Sequence, residues 1–290
     1  NAVGGHTRMV AHWIHGDAAS RHSLVVTDQQ GEPVPGWLHD AVRSRDGELA
    51  TLPAAPLLHK ASSLREAAGR DVDLVVLHHY AWDVVPTVAF APPGGPPVAV
   101  LNHADHLFWL GSSVADVSID LRTAGSVHSA QRRYLARNVV LPIPLPPPPP
   151  AQSRADARRR LGVSDDEVVL LSVGRPEKYR PSGKHDFVAT AGELLSRERG
   201  SRLFVVGETA DGIAPHLRCP IPDRLHFVGR VEDPTPYRVA ADVYLESFPF
   251  GSQTALLEAA LAGLPVVPAY APLFALLVAN DDSVCDLLPN

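Results

Sequence analysis

Runs of consecutive apolar residues recur along the chain, each too short for anything but a strand. They are separated by stretches that repeat apolar positions with helical spacing. Apolar runs without polar alternation suit strands covered on both faces of a parallel sheet. In the first half this pattern predicts strands over 23–27, 72–77, 97–101 and 138–142, with amphipathic stretches over 57–69 and 81–91. In the second half it predicts strands over 167–173, 202–206, 225–228, 242–245 and 265–268. Helices are expected there over 184–199 and 254–262, the latter closed by Gly263. Alternating strand and helix gives an α/β class. The second-half strands end in glycine, proline or a charge, where such sheets place ligand loops.

Residues 141–151 read LPIPLPPPPPA. Consecutive prolines cannot join a helix or a central strand, and they favour a semi-rigid polyproline II spacer. A domain of residues 1–144, a linker over 145–152 and a second domain of residues 153–290 follow. There is no internal repeat. Neither GxGxxG nor GxxxxGK[ST] occurs, so neither motif-based dinucleotide binding nor a Walker-type phosphate loop is indicated. The chain starts at Asn1, reaches Gly4-Gly5 at once and ends in polar, irregular sequence at Asn290, so both ends read as truncated. No apolar run is long enough for a transmembrane helix, and no signal peptide is visible.

Composition narrows the classes further. With 45% hydrophobic and 20% charged residues the chain is globular. A net charge of -6 argues against a broad nucleic-acid-binding face, so bound phosphate must meet a local site. Cys219 and Cys285 are too few for a disulfide framework and suit a reducing, cytoplasmic setting. The prevalence of arginine over lysine reflects base composition and carries no function.

The candidate chemistry is concentrated in two segments. The first is residues 246–267, ESFPFGSQTALLEAALAGLPVV, a strand running through a Gly-Ser-Gln-Thr turn into a helix. The first amides of such a helix lack internal partners, and the helix dipole favours an anion there. Gly251 would let the backbone approach a phosphate, and Glu258 stands one turn beyond Thr254, suited to a ribose diol. The plainer reading of the local pattern is that Ser252 or Thr254 caps the helix. The second segment is residues 171–183, LSVGRPEKYRPSG. A strand and Gly174 precede Arg175, Lys178 and Arg180, which could neutralise a departing diphosphate. Lys178 is one of only three lysines, a compact point charge in an arginine-rich chain.

These segments resemble the donor-binding signature of GT-B glycosyltransferases. The helix sequence LLEAALAGLPVV is similar to the LLEAMACGLPVV of the family-4 enzymes. The loop before it departs from family 4, which expects a second glutamate where Phe250 stands. It is closer to the O-linked N-acetylglucosamine transferases, with Glu246 and Glu258 twelve residues apart and Gln253-Thr254 at the place of a His-Thr pair. The resemblance implies two Rossmann-like domains facing across a cleft, residues 1–144 as the acceptor domain and residues 153–290 as the nucleotide-sugar donor domain. It implies that Arg175, Lys178, Ser252, Gln253 and Thr254 meet the donor diphosphate, and that Glu258 meets the ribose. The segment LHFVGRVE at 225–232 resembles the GT-B turn whose backbone touches the base, which assigns that role to Gly229 and Arg230. Gly4 and Gly5 resemble the glycine loop that approaches the donor phosphate after the first strand.

In the first half, residues 101–111 read LNHADHLFWLG. His103, Asp105 and His106 follow a buried strand, where an imidazole could relay an acceptor proton. His78-His79 is a weaker echo. A metal bound by His103, Asp105 and His106 ranks low for want of a fourth ligand nearby, and a structural His-Asp cluster is the bland alternative. The reading is a metal-independent, cofactor-free hexosyltransferase that moves a hexose from a nucleoside diphosphate sugar to an acceptor hydroxyl. The acceptor is a saccharide, a protein or a small molecule, and peripheral membrane contact stays open. The rivals are a GT-B-fold nucleotide-sugar epimerase and a non-catalytic nucleotide-sugar or glycan-binding protein.

Overall fold

The computed structural model describes residues 5–27, 33–69, 71–78, 80–105, 108–145 and 152–269. The chain divides into two compact units that part between Pro146 and Pro147. The stretch 146–151 of the expected linker lies outside the described residues.

The first unit runs α1 (Gly5–Gly16), β1 (Leu24–Val26), α2 (Gly36–Arg43), β2 (Leu49–Thr51), α3 (Leu57–Ala68), β3 (Val75–Leu77), α4 (Val84–Phe90), β4 (Val98–Asn102), β5 (Val117–Asp120), α5 (Thr123–Arg132) and β6 (Asn138–Val140). Strands β1 and β2 form a parallel pair, and β3-β4-β5-β6 form a parallel sheet in chain order. All five residues of β4 are buried. Ala99 and Leu101 pack with Met9 and Ile119, whereas Val98 and Val100 pack with Leu77, Trp109 and Leu135. Successive side chains thus feed two cores on opposite faces, as a sheet covered on both sides requires. Gly5, expected in a loop after a strand, instead opens α1, whose Val10 and Ile14 pack on Leu38 and Val42 of α2.

The second unit runs α6 (Arg154–Arg160), β7 (Val168–Val173), a 3-10 turn (Pro176–Tyr179), α7 (Phe187–Arg197), β8 (Ser201–Val206), α8 (Ala210–Ile213), β9 (Leu225–Gly229), α9 (Thr235–Ala240), β10 (Val243–Leu245), α10 (Gln253–Leu261) and β11 (Val266–Val267). Its parallel sheet has the order β11-β10-β7-β8-β9. Val169 and Leu171 join Phe204, Tyr244 and Leu256 in one core. Leu170 joins Leu203, Val205, Phe187 and Val188 in the other. Helix α10 ends as predicted: Gly263 has φ +83°, its N–H donates to Ala260 O, and Leu264 N–H donates to Ala259 O.

The order of this sheet fixes where its loops go. From β7 the chain winds one way through β8 and β9, then returns to lay β10 and β11 on the opposite side. The direction reverses between β7 and β10. Loops leaving the carboxyl ends of those two neighbours diverge and leave a crevice, which is where open α/β sheets bind ligands.

Candidate functional site

The two segments singled out in the sequence are the loops that follow β7 and β10. Gly174 ends β7, and its N–H donates to Val206 O over 3.0 Å. The next strand end approaches so closely that a side chain on Gly207 (φ +108°) would lie 2.0 Å from Gly174 O. A side chain on Gly174 would in turn meet Ser252 Oγ at 2.8 Å and Lys178 Cδ at 3.2 Å. Gly174 is therefore where the basic loop and the Gly-Ser-Gln-Thr turn converge. Arg175 is exposed, and Lys178 is half-buried and donates to Gly251 O. Burial pulls the Lys178 ammonium down to about 8; the neighbouring Arg175 adds to this, while Glu246 and Glu177 oppose it.

Glu246, just past β10, organises the facing turn from below. It is buried, and its carboxylate accepts the Ala269 N–H at 2.8 Å and the Ser252 N–H. Burial raises its pKa against those two hydrogen bonds and the attraction of Lys178. A side chain at Gly251 would lie 2.4 Å from Glu246 Oε1, so the carboxylate already fills the room that the glycine leaves. Ser247 Oγ donates to Phe250 O at 2.9 Å and meets Ser252 Oγ at 3.1 Å. Phe250, at the place of the missing glutamate, is itself exposed.

Ser252 occupies the N-cap of α10 but makes no side-chain cap bond. The plain capping reading is thereby corrected for Ser252: its hydroxyl is turned to Ser247. Gln253 and Thr254 form the first turn of the helix, so no side chain among the described residues caps the amides of that turn. They stand at the positive end of the helix dipole, beside the Lys178 loop, an arrangement suited to an anion.

The neighbouring strand ends complete this edge of the sheet. Gly207 N–H donates to Gly229 O and Gly229 N–H donates to Glu208 O, both over 2.7 Å, with Gly229 at φ +77°. Arg230 follows, exposed. Glu258 does not stand open for a ribose. It accepts from Arg238 Nη2 at 2.6 Å, and both side chains are largely covered. Arg238 lies on α9, so the partner was invisible to reasoning within the segment. Two further buried carboxylates were passed over in the sequence as site residues, Glu246 and Glu208. Each stands directly after, or one glycine beyond, a buried strand, and that placement was the signal.

In the first unit His103 follows β4, and its ring stacks on His6 with centroids 3.9 Å apart and 25° between planes. His78, just past β3, lies 5.6 Å from His103, and Trp13 meets His78 edge-on at 5.7 Å. Asp105, a catalytic candidate from the sequence, sits in a buried ion pair. Arg122 grips its carboxylate through two hydrogen bonds of 2.6 and 3.2 Å, and both side chains are buried. The Asp105 carbonyl accepts from Arg133 at 2.9 Å. A carboxylate held this way braces the loop. Gly4, His79 and His106 lie outside the described residues. Among the described residues no group of three or more His, Cys, Asp or Glu side chains is arranged to hold a metal. None of the helices among them is long and apolar enough to cross a membrane.

Comparison with known proteins fits this geometry. Residues 167–283 match the family model described as Glycosyl transferases group 1. Among curated proteins the sequence finds no match. Solved structures share the fold at low identity. HepE of Anabaena, in complex with UDP and glucose, is 17% identical; 93% of this chain covers 79% of that one, with a TM-score of 0.68. WaaG, a glycosyltransferase involved in lipopolysaccharide biosynthesis, is 19% identical, with 91% of this chain covering 77% of that one and a TM-score of 0.59. An O-GlcNAc transferase mutant of Thermobaculum terrenum is 16% identical, with 91% of this chain covering 50% of that one and a TM-score of 0.59. The chain has the two-domain Rossmann-like fold of the GT-B glycosyltransferases.

Proposed function

We propose, from the glycosyl transferases group 1 pattern of residues 167–283, that the protein transfers a hexose from a nucleoside diphosphate sugar to an acceptor hydroxyl. The observation that carries this reading is the convergence at Gly174. The switch point between β7 and β10 gathers Arg175, Lys178 and the uncapped first turn of α10 against one backbone atom group. Such a site offers positive charge and aimed N–H donors where a diphosphate would gain negative charge. In the transfer, the bond between the anomeric carbon and the phosphate oxygen breaks and its electron pair leaves on the diphosphate. The acceptor oxygen bonds the anomeric carbon and gives up its proton. Lys178, Arg175 and the amides of Gln253 and Thr254 stabilise the leaving diphosphate. Gly229 and Arg230 stand beside the base.

His103 receives the acceptor proton, or orients the hydroxyl, with Asp105 bracing its loop. Glu258 acts through Arg238, by fixing α9 against α10, and its reach to a ribose requires that pair to open. Phe250 favours one second reading, a protein that binds the nucleotide-sugar without transferring it, because no carboxylate stands there to grip sugar hydroxyls.

Calorimetric titration with uridine and guanosine diphosphates tests the donor assignment. Binding of at least one is expected, with affinity falling roughly tenfold or more in Lys178→Ala, the loss of a charge-assisted contact. If neither nucleotide binds, or Lys178→Ala binds as well as the parent, the assignment fails. Binding without hydrolysis or transfer would favour the second reading.

A further inference from the structure

Helix α10 begins on a serine that does not cap it. Its first internal bond, Leu256 N–H to Ser252 O at 3.0 Å, puts Ser252 at the N-cap. A serine hydroxyl there ordinarily accepts the amide of the second or third helical residue, here Thr254 or Ala255. Other helices of the second unit show what a free capping side chain does. Ser153 accepts from Asp156 N–H at the start of α6, Asp186 from Ala189 N–H at α7, and Thr209 from Gly212 N–H at α8, each on extended backbone. Ser252 instead has φ -114° and ψ 63°, and its side chain makes no such bond.

Ser247 draws that hydroxyl away. Ser247 is fully buried, and Ser252 is nearly so. A serine hydroxyl carries a single proton. Ser247 gives its proton to Phe250 O at 2.9 Å, so across the 3.1 Å contact between the two serines Ser252 donates and Ser247 accepts. The surroundings are shaped to this arrangement. Ser252 Oγ stands against Gly174, where a Cβ would come within 2.8 Å of it. Glu246 accepts the Ser252 N–H and so fixes the backbone that carries the hydroxyl.

The serine pair satisfies the Ser252 hydroxyl and does nothing for the helix. What it leaves is a first turn whose amides have no side-chain partner among the described residues, at the positive end of the dipole and beside Lys178. We infer that Ser247 is a positioning residue for the anion site: by accepting the Ser252 hydroxyl it keeps the first-turn amides of α10 open to a phosphate. The inference deepens the donor reading and rests on it only in naming the anion as a diphosphate.

The test uses the whole chain, with Ser247→Ala and with a double variant that adds Ser252→Ala to it. Neither change adds volume, and circular dichroism should show both variants folded. Ser247→Cys, whose thiol accepts only weakly, should repeat the result of Ser247→Ala. Amide hydrogen exchange comes first, with no ligand present. Once Ser247 is gone, the Ser252 hydroxyl swings to Thr254 or Ala255 N–H and slows the exchange of that amide roughly fivefold, the order of one cap bond. The double variant has no hydroxyl to swing and should exchange as the parent does.

Calorimetric titration with uridine and guanosine diphosphates should follow the same order. Affinity falls roughly fivefold in Ser247→Ala, because the nucleotide must displace the new cap, and recovers in the double variant. A role confined to bracing Phe250 would give a loss that the second substitution leaves in place. A direct contact between Ser252 Oγ and phosphate would make the double variant weaker still. Either result overturns the inference, and so does exchange that Ser247→Ala leaves unchanged. If nucleotides bind the parent and exchange does not respond, the inference fails while the donor assignment stands. If exchange responds as expected and neither nucleotide binds, the donor assignment fails and the action of Ser247 on the amides stands.

Discussion

The carboxyl edges of the two larger sheets carry similar polar residues and use them in opposite ways. Behind the four-stranded sheet the buried polar groups turn to one another. Arg122 holds Asp105, and Asp120 accepts from Asn102 and Ser129 at 2.7 Å each, all of them buried. Behind the five-stranded sheet, among the described residues, no carboxylate pairs with Arg175 or Lys178, and no side chain caps α10. Charges that are already paired brace a backbone. Charges and amides left open at a switch point are available to a ligand. The first edge therefore builds a scaffold, and the second builds an anion site.

The largest effect that could break this contrast is on stability. Arg122→Ala removes one member of a buried ion pair, a change that costs about 3–5 kcal/mol. Denaturant melts should show that loss, and any protein that stays folded should bind nucleoside diphosphate as the parent does. A small stability change, or a selective loss of nucleotide binding, would mean that the first edge is not a scaffold.

A smaller effect sharpens the other half of the comparison. Lys178 titrates at about 8 because burial and Arg175 disfavour its charge. A bound diphosphate favours the ammonium and raises that value. Below pH 8 the free protein already carries the proton. Above 8 it must take one up to bind, so affinity should fall by up to about tenfold per pH unit. Calorimetry between pH 7 and 9 should show the decline, and Lys178→Arg, whose guanidinium stays charged, should flatten it. A profile that stays level in the parent would remove Lys178 from the phosphate contact.

Much of the fold was legible because β7, β8 and β9 are mostly apolar and lead to Gly174, Gly207 and Gly229. Two of the short strands were not. Strand β2 reads LAT, which does not stand out as an apolar run. Strand β5 reads VSID, and its Ser118 and Asp120 look like a turn until Asn102, Ser129 and Asp120 are seen to hydrogen-bond one another inside the sheet. Gly5, read as part of a glycine loop, opens α1, whose Val10 and Ile14 pack on α2, a contact that the local pattern could not show. At the site, the Lys178 loop and the α10 turn could be read as separate motifs. Their meeting at Gly174 could not, because it depends on β10 returning beside β7. The Arg238 partner of Glu258, twenty residues away on another helix, was hidden for the same reason.

A crystal structure with uridine or guanosine diphosphate bound would test the donor site most directly. The diphosphate oxygens should lie within hydrogen-bonding distance of Lys178 Nζ and of the amides of Gln253 and Thr254, with the base beside Gly229. A nucleotide seated on the first unit, or at the edge of the second sheet away from β7 and β10, would contradict it.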